Sequence, residues 1–349
     1  MPLEPASRFL RACYRLPVDA TPVWFMRQAG RYMPEYRAIR ANLSLLEIVE
    51  RPQVAAEVTM QPVHALGVDA AILFSDILLP LVPLGLQLEF AKGEGPVIHN
   101  PVCTIEDVQR LRVLEPRSDL GHVLETITIL RKELGEIPLI GFAGAPFTVA
   151  AYAIEGGASR DFLRTKTLMY GAPKTWHALM DKLAEALAAY LVAQVRAGAQ
   201  AVQLFDSWVG TLSPQDYARF AQPYSSRVLK AAQTTSVPVI HFGTHTATLL
   251  RSMQQAGGTV IGLDWRVPLD EGWSILGPDI GVQGNLDPVA LFAPLPELRE
   301  QVQDILRRAG GRPGHIFNLG HGILQGTPVE HVKAAVEMVH ELSRVSVGF

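Results

Sequence analysis

Cysteine is scarce in this chain of 349 residues, which contains only Cys13 and Cys103. Two thiols exclude a scaffold stabilised by several disulfides and a metal site built from several cysteines. Lysine is also scarce, because the 31 basic residues comprise 24 arginines and 7 lysines. This excess of arginine suits directional recognition of anions, although GC-rich coding explains it equally well.

A strong net charge is absent, and so is an uninterrupted apolar segment of membrane-spanning length. The formal net charge is −3, so we expect no nucleic-acid partner. The N-terminal residues carry charges throughout and have no apolar segment typical of a signal peptide. Residues 137–154 are uncharged, but Pro138, Gly141 and Pro146 argue against a continuous helix there. We therefore expect a cytoplasmic protein without a membrane partner.

Short apolar segments alternate with helical sequence along the chain. The predicted strands cover 22–27, 68–76, 138–142, 201–207, 238–242, 260–264, 280–285 and 315–320. The predicted helices cover 5–16, 44–66 with a break at Pro52, 104–134, 159–197, 214–233, 246–256, 288–309 and 328–343. The predicted helix N-caps are Thr104 with Asp107, Ser118 and Ser213. Residues 77–103 suggest an inserted hairpin, and 143–152 a loop of small residues that carries Tyr152.

Eight strands, each followed by helical sequence, are typical of an α/β protein with a (β/α)₈ TIM barrel. We predict a single barrel domain over residues 1–349, with a short N-terminal helical extension. A doubly wound sheet is the competing arrangement, and it would need a phosphate-binding turn. The chain has neither Gly-x-Gly-x-x-Gly after the first strand nor a Walker loop.

Two arginines follow the first predicted strand, with a glycine between them. Arg27 and Arg31 flank Gly30 where an apolar segment ends. A guanidinium group binds carboxylate or phosphate through two parallel hydrogen bonds, and glycine lets the backbone approach a ligand. A surface ion-pair cluster is the alternative interpretation. Two arginines at the exit of a buried strand favour an anion site.

Barrel enzymes place their active sites at the carboxyl ends of the strands. The polar residues predicted there are Arg27, Arg31, Asp76, Tyr152, Asp206, Ser207, His241, Asp264, Asn285, Asn318 and His321. Asp76 follows an apolar strand, so it is expected to be partly desolvated and either to pair with an arginine or to await a cationic partner. Tyr152 either donates to a carboxylate or packs its ring, and Ser207 either binds an anion or caps a turn. Glycines on both sides of His321 expose it to the site.

Two nearby histidines raise the question of a zinc site. His241 and His245 lie close together in the sequence, but zinc sites of this kind usually add thiolates or further histidines. Cys13 and Cys103 fall in the leading helix and in a connecting segment. We therefore expect no metal site.

Four motifs resemble those of the uroporphyrinogen decarboxylase family. Residues 25–36 read FMRQAGRYMPEY and match its N-terminal signature. Residues 141–148 read GFAGAPFT and, with Tyr152 and the EGG at 155–157, are similar to its second signature. LFDSW at 204–208 and FNLGHG at 317–322 also resemble family motifs, so the likeness follows the whole chain in order.

The resemblance implies a cytoplasmic, cofactor-free carboxy-lyase of haem biosynthesis that folds as a barrel and forms a homodimer. It would convert the four acetate side chains of uroporphyrinogen III to methyls, giving coproporphyrinogen III. The substrate-binding residues implied by the motifs are Arg27, Gln28, Ala29, Gly30, Arg31, Asp76, Tyr152, Ser207 and His321. The implied catalytic residues are Asp76, Arg27 and Tyr152, with Asp76 accepting hydrogen bonds from the pyrrole N–H groups. Protonation of a pyrrole ring would provide the electron sink that other decarboxylases take from pyridoxal phosphate or thiamine.

Two other functions remain open. A zinc-dependent, corrinoid-linked methyltransferase shares the barrel, but such relatives carry His-x-Cys-Gly near the fifth strand, where this chain has His241-Phe242-Gly243. A non-catalytic tetrapyrrole carrier would need the arginines and would gain nothing from Asp76. Metal content and the effect of replacing Asp76 separate these alternatives.

Overall fold

A parallel β-sheet forms the centre of the protein. The computed structural model describes residues 7–91 and 95–344, and within them seven parallel strands form one sheet, with a separate antiparallel hairpin. In chain order the strands are β1 (Ala71–Ile72), β2 (Leu88–Ala91), β3 (Gly95–Ile98), β4 (Leu139–Gly144), β5 (Ala201–Asp206), β6 (Val239–Gly243), β7 (Val260–Gly262), β8 (Gly281–Gln283) and β9 (His315–Ile316). The sheet order is β1-β4-β5-β6-β7-β8-β9, so each strand pairs with the next strand of the sheet along the chain. This order confirms the barrel-type α/β fold.

The segment at Val23 closes the sheet into a barrel. Phe317 N–H donates to Pro22 O (2.8 Å) just beyond β9, and on the opposite side Asp69 N–H donates to Val23 O (2.8 Å) just before β1. The predicted first strand at 22–27 is thus reduced to a parallel bridge between Val23 and Phe317. The chain cannot continue as a strand because it turns at Arg27, whose φ is +60°.

Helices lie between the strands and cover the sheet. They are α1 (Arg8–Cys13), α2 (Pro34–Asn42), α3 (Leu45–Val49), α4 (Pro52–Leu66), α5 (Ile105–Arg110), α6 (Pro116–Asp119), α7 (Gly121–Glu133), α8 (Pro146–Glu155), α9 (Leu163–Gly171), α10 (Pro173–Ala197), α11 (Pro214–Asp216), α12 (Gln222–Gln233), α13 (Leu250–Ala256), α14 (Leu269–Leu276), α15 (Leu295–Ala309) and α16 (Val329–Ser343). Short 3₁₀ helices cover Leu79–Leu81, Val209–Thr211 and Pro288–Phe292, and a π-helical turn covers Tyr217–Ala221. Within the described ranges, no helix is both long and apolar enough to cross a membrane.

Local sequence signals fixed several helix boundaries. The helix restarts at Pro52, and Thr104 and Asp107 form a reciprocal capping box at the start of α5. Ser213 accepts from Asp216 N–H at the start of α11, as predicted. The prediction for Ser118 is wrong, because this residue lies inside α6, which follows Glu115.

Other elements differ from the prediction. The inserted hairpin is present as antiparallel β2 and β3, whose connecting residues 92–94 lie outside the described ranges. Residues 5 and 6 of the predicted first helix also lie outside them. The sequence patterns missed α2 and α14. The predicted loop 143–152 is wrong: β4 extends to Gly144, and α8 begins at once with Pro146 at its first position, where proline is pre-organised for a helix.

Amide side chains fill the polar part of the barrel interior. Gln283 donates to Gln203 (3.0 Å) and accepts from the indole N–H of Trp24 (3.1 Å). Gln203 in turn contacts the sulfur of Met26 at 3.5 Å. All of these groups are buried, and each finds a partner inside the barrel. They support Met26, which forms part of the cavity described next.

Candidate active site

A cavity opens at the carboxyl ends of the barrel strands. It contains about 800 Å³ of space, part of it open to solvent. Its walls are mainly apolar and aromatic, formed by Ile72, Phe74, Ile77, Phe142, Phe205 and Phe242. The polar side chains that line it are Arg27, Ser75, Asp76, Ser207 and His321. An apolar cleft with a few convergent polar groups is the usual form of a small-molecule site. Of the predicted site residues, Arg27, Ala29, Asp76, Ser207 and His321 therefore meet at this cavity.

Asp76 lies just beyond β1, in the turn that leads to the 3₁₀ helix Leu79–Leu81. Its Oδ1 accepts a hydrogen bond from Leu78 N–H (2.8 Å), which fixes the carboxylate at the cavity. Within the described part of the chain, no residue donates to Oδ2. Burial raises the pKa of Asp76, while the Leu78 hydrogen bond and the positive charge of Arg27 oppose that shift. The carboxylate is thus held in place by one oxygen and remains open to a donor at the other.

Arg27 adopts a left-handed backbone conformation, with φ of +60°, which is uncommon for a residue with a side chain. Two glycines provide the room for it. A Cβ on Gly30 would lie 2.8 Å from Arg27 O, and one on Gly322 would lie 2.5 Å from Arg27 Cδ. The aliphatic part of Arg27 therefore packs directly over the backbone of Gly322. Gly322 was predicted only to expose His321, and the structure relates it to Arg27.

Tyr152 lies on α8 and, unlike Arg27 and Asp76, is not part of the cavity wall. Its ring stacks on Trp208, with ring centres 3.7 Å apart and an interplanar angle of 27°. Burial and the negative charge of Asp76 raise the pKa of Tyr152, and Arg27 opposes that shift. The phenol therefore remains protonated at neutral pH and close to both charges. Trp208 was part of a motif, but its role as the support of Tyr152 was not predicted.

His321 and Ser207 complete the polar side of the cavity. Burial lowers the pKa of His321, and the nearby charge of Arg27 lowers it further, so its imidazole is neutral near pH 7. The edge of this ring contacts Trp265 at a centroid distance of 6.5 Å. Ser207 is half-buried, and its carbonyl oxygen accepts from Thr244 Oγ1 (2.5 Å). A neutral imidazole and a hydroxyl can both donate hydrogen bonds to an anionic ligand.

The turn after Met26 contains the other predicted substrate contacts. Gln28 is fully buried, accepts from Phe25 N–H (3.0 Å) and donates to Ala70 O (3.1 Å), so its side chain holds the turn in place. Ala29 lines the cavity. Arg31 is exposed and is not part of the cavity wall.

The strand ends also carry polar residues that turn away from the cavity. These residues correct the prediction that all the polar residues at the strand ends belong to the site. Asp206 and His241 are fully buried, and His241 Nε2 lies 3.7 Å from Asp206 Oδ2. Asp206 accepts from the hydroxyls of Thr148 (3.1 Å) and Ser225 (3.3 Å), both on the helices outside the sheet. Successive side chains of a strand alternate between its faces. Because Phe205 and Phe242 face the cavity, Asp206 and His241 face the helices.

Three further polar residues predicted at the strand ends hold neighbouring protein groups instead of lining the cavity. Asp264 is buried and pairs with Arg266 at 3.1 Å. Asn285 donates to the backbone oxygens of Asp264 and Val267. Asn318 accepts from Met26 N–H at 3.2 Å. The cavity is accordingly less polar than the strand-end residues alone predict.

Metal-ligating side chains are dispersed. In the ranges 7–91 and 95–344, no group of three or more His, Cys, Asp or Glu residues is arranged to hold a metal ion. Cys13 is buried on α1, and Cys103 is exposed.

Comparison with known proteins gives matches over nearly the whole chain. Residues 4–342 match the family model described as uroporphyrinogen decarboxylase (URO-D). A uroporphyrinogen decarboxylase from Sorangium cellulosum is 58% identical over 341 residues, which cover 97% of each chain. One from Carboxydothermus hydrogenoformans is also 58% identical, over 339 residues and 97% of each chain.

Among solved structures, the similarity shows the fold alone. A methyltransferase from Methanosarcina mazei has a TM-score of 0.80 at 21% identity and covers 96% of this chain and 97% of its own. A B12-independent methionine synthase from Shewanella sp. W3-18-1 has a TM-score of 0.57 at 12% identity, with coverage of 86% and 89%.

Proposed function

Because this chain belongs to the uroporphyrinogen decarboxylase family, it is a decarboxylase of tetrapyrrole biosynthesis, and we propose that the cavity between Arg27 and Asp76 is where the acetate side chains of uroporphyrinogen lose CO₂. One observation carries the proposal. Asp76 has one oxygen fixed by Leu78 N–H and the other open to donors, in an apolar cavity that also contains a guanidinium group.

The macrocycle is bound through its centre and its rim. Pyrrole N–H groups at the centre donate to the carboxylate of Asp76, which compensates that group for its burial. The acidic arms at the rim are held by Arg27 and, further out, by Arg31, since a guanidinium forms two parallel hydrogen bonds with a carboxylate. Tyr152, Ser207 and His321 donate further hydrogen bonds to the arms. The aromatic walls pack against the faces of the pyrrole rings.

The electron sink is the pyrrole ring itself. A proton adds to the ring carbon next to the one that carries the acetate arm, and the ring becomes cationic, with positive charge on the arm-bearing carbon. The bond to the carboxylate then breaks, CO₂ leaves, and the electron pair forms an exocyclic double bond that neutralises the cation. A second proton adds to the exocyclic carbon and makes the methyl group. The ring carbon that was protonated first then loses its proton, which restores the pyrrole. Each acetate thus consumes one proton and releases one CO₂, and four rounds convert uroporphyrinogen III to coproporphyrinogen III.

Asp76 stabilises the cationic ring more than the neutral one, which is the condition for catalysis by differential binding. Two charges about 4 Å apart at an effective dielectric constant of about 20 interact by about 4 kcal/mol. Large enzymic accelerations need up to about 23 kcal/mol. Positioning of the substrate and a proton donor must provide the remainder. Arg27 is our candidate for the donor or its relay, although a guanidinium is a weak acid. Tyr152 stays protonated and orients a carboxylate by hydrogen bonding.

The family resemblance also supports a reaction without metal or cofactor, a homodimer and a cytoplasmic location. Each of these is a prediction for this chain. Zinc bound at one ion per chain after purification, and activity lost on chelation, would favour the methyltransferase alternative. Binding of a tetrapyrrole without turnover would favour the carrier.

The direct test is incubation of the purified protein with enzymatically or chemically reduced uroporphyrinogen III. We expect CO₂ release and a ladder of products with successively fewer carboxyl groups, resolved by chromatography after oxidation to the porphyrins. The same assay with isomer I measures isomer preference. Recovery of unchanged substrate under reducing conditions would refute the proposed activity.

A further inference from the structure

Trp208 is held at its backbone and at its ring by two residues one helical turn apart. Thr148 and Tyr152 are four residues apart on α8 and therefore lie on the same face of that helix. Thr148 Oγ1 accepts from Trp208 N–H (3.2 Å), and the ring of Tyr152 stacks on the ring of Trp208 (3.7 Å). We refer to Thr148, Tyr152 and Trp208 as the α8 clamp.

The clamp is anchored to a buried carboxylate between the barrel strands and the surrounding helices. Thr148 Oγ1 donates to Asp206 Oδ1 (3.1 Å), so this hydroxyl donates and accepts at once, and both residues are fully buried. Asp206 Oδ2 accepts from Ser225 on α12 (3.3 Å), which connects the clamp to the outer helix layer. A buried carboxylate holds its donors firmly, because losing one leaves a desolvated acceptor unsatisfied.

We propose that Thr148 and Asp206 are positioning residues for the decarboxylation: they fix the Ser207–Trp208 turn and, through the Trp208 ring, the place of Tyr152 relative to Asp76. This inference rests on the proposed function of the cavity. The path consists of the Asp206–Thr148 hydrogen bond, the Thr148–Trp208 hydrogen bond and the Trp208–Tyr152 stack. Phe162 packs edge-on against Trp208 (4.9 Å, 68°), which confines the indole on a further side.

The clamp matters because its far end is near the reacting groups. The charges of Asp76 and Arg27 both act on the Tyr152 phenol, so it lies within electrostatic range of the proposed catalytic pair. Ser207 lines the cavity and lies between Asp206 and Trp208, both of which the clamp holds. A small displacement of a substrate-positioning group reduces the rate, because the reacting atoms leave their productive geometry.

Thr148→Val is the first test, since it keeps the shape of the side chain and removes the hydroxyl. We expect kcat to fall about tenfold, by the loss of a buried hydrogen-bonded hydroxyl, with a smaller change in KM. Thr148→Ser keeps the hydroxyl and should restore kcat to within about twofold. Thr126→Val is the matched control, because Thr126 is an equally buried helical threonine on α7 whose hydroxyl donates to His122 O (2.9 Å), away from the cavity.

A double-mutant cycle with Tyr152→Phe distinguishes positioning from general destabilisation. If Thr148 acts through the phenol of Tyr152, Thr148→Val should cost at most about threefold in kcat once that hydroxyl has been removed. If the two effects multiply in full, Thr148 does not act through Tyr152 and the inference is wrong. A kcat for Thr148→Val equal to that of Thr126→Val would also overturn it.

Should Thr148→Val fold poorly, Trp208→Leu tests the same path by removing the stack while leaving the backbone bond to Thr148. We expect a similar fall in kcat, and a smaller fall when the substitution is made in the Tyr152→Phe background. Full additivity of the two effects in free energy would overturn the inference. A wild-type chain that releases no CO₂ refutes the proposed function itself. An active wild type with normal kcat in these variants refutes only the clamp.

Discussion

Replacing Asp76 by Asn tests the centre of the proposed mechanism. The amide oxygen can still accept from Leu78 N–H, so the turn after β1 keeps its hydrogen bond. The substitution removes the negative charge at the cavity and puts an amide donor in the place of the oxygen that faces the pyrrole N–H groups. We therefore expect substrate binding, which the arginines at the rim still support, to weaken, and turnover to fall much further.

The size of the loss follows from the charge interaction. A carboxylate about 4 Å from a cationic ring contributes about 4 kcal/mol at an effective dielectric constant of about 20. Since each 1.36 kcal/mol is about tenfold in rate, kcat should fall roughly a thousandfold. The free energy of unfolding at pH 7 should not fall, because a raised pKa means that folding penalises the ionised form of Asp76, and Asn avoids that penalty.

Asp287→Asn is a matched control. Asp287 Oδ1 accepts from the N–H two residues on, Val289 (2.9 Å), and it too precedes a 3₁₀ helix, Pro288–Phe292. Asp287 does not line the cavity. Its replacement should leave kcat unchanged, so a loss common to both variants would point to the turns rather than to the charge.

The assay is single-turnover decarboxylation of uroporphyrinogen, followed by chromatography, with binding measured in parallel under anaerobic conditions. A kcat for Asp76→Asn within tenfold of wild type would refute the role of the central carboxylate. A loss of binding equal to the loss of rate would show that Asp76 contributes uniformly to ground state and transition state.

Three other changes test the proposed contact of Arg31 with a carboxylate arm, the packing of Arg27 on Gly322 and the pH dependence of stability. Arg31→Ala should raise KM several-fold with little change in kcat, since Arg31 is proposed to hold only a carboxylate arm. Arg117 is also exposed, and Arg117→Ala should change neither constant. An unaltered KM for Arg31→Ala would contradict this assignment. Gly322→Ala should lower kcat/KM at least tenfold, because the new Cβ would lie 2.5 Å from Arg27 Cδ. Gly171→Ala, with open space at its Cβ, serves as the control. Normal activity of Gly322→Ala would show that Arg27 need not lie against Gly322. Burial lowers the pKa of His315 to about 4. Between that value and about 6.5, the unfolded chain binds more protons than the native one. The free energy of unfolding should therefore fall by about 3 kcal/mol from this residue as pH falls through that range. Denaturant unfolding at several pH values should give a shallower slope for His315→Leu, and an identical slope would exclude this contribution.

Local patterns were sufficient for much of the fold. The alternation of apolar segments with helical sequence predicted the parallel sheet, and the caps at Thr104 and Ser213 are present as predicted. These signals act within one helical turn or one strand, so they can be read without knowing the partners. The loop predicted at 143–152 failed for a related reason: small residues and proline suit both a loop and the first turn of a buried helix, and packing of α8 decided between them.

The face of each strand end was decided by the tertiary structure. Asp206 and Ser207 are neighbours and both polar, yet Ser207 lines the cavity while Asp206 is buried among the helices. His241 follows Asp206 to that outer side. A polar residue at the end of a strand predicts a position along the barrel axis, but which side it faces depends on the register of the whole sheet.

The sequence by itself determined the order of the elements, the family and the residue types available for the chemistry. Only the tertiary structure decided which of them meet. Arg27 reaches the cavity because Gly322, far away in the chain, leaves space for its side chain. Tyr152 stacks on Trp208, which comes from another strand end. Such contacts depend on distances between segments that barrel closure alone brings together, and no local pattern encodes them.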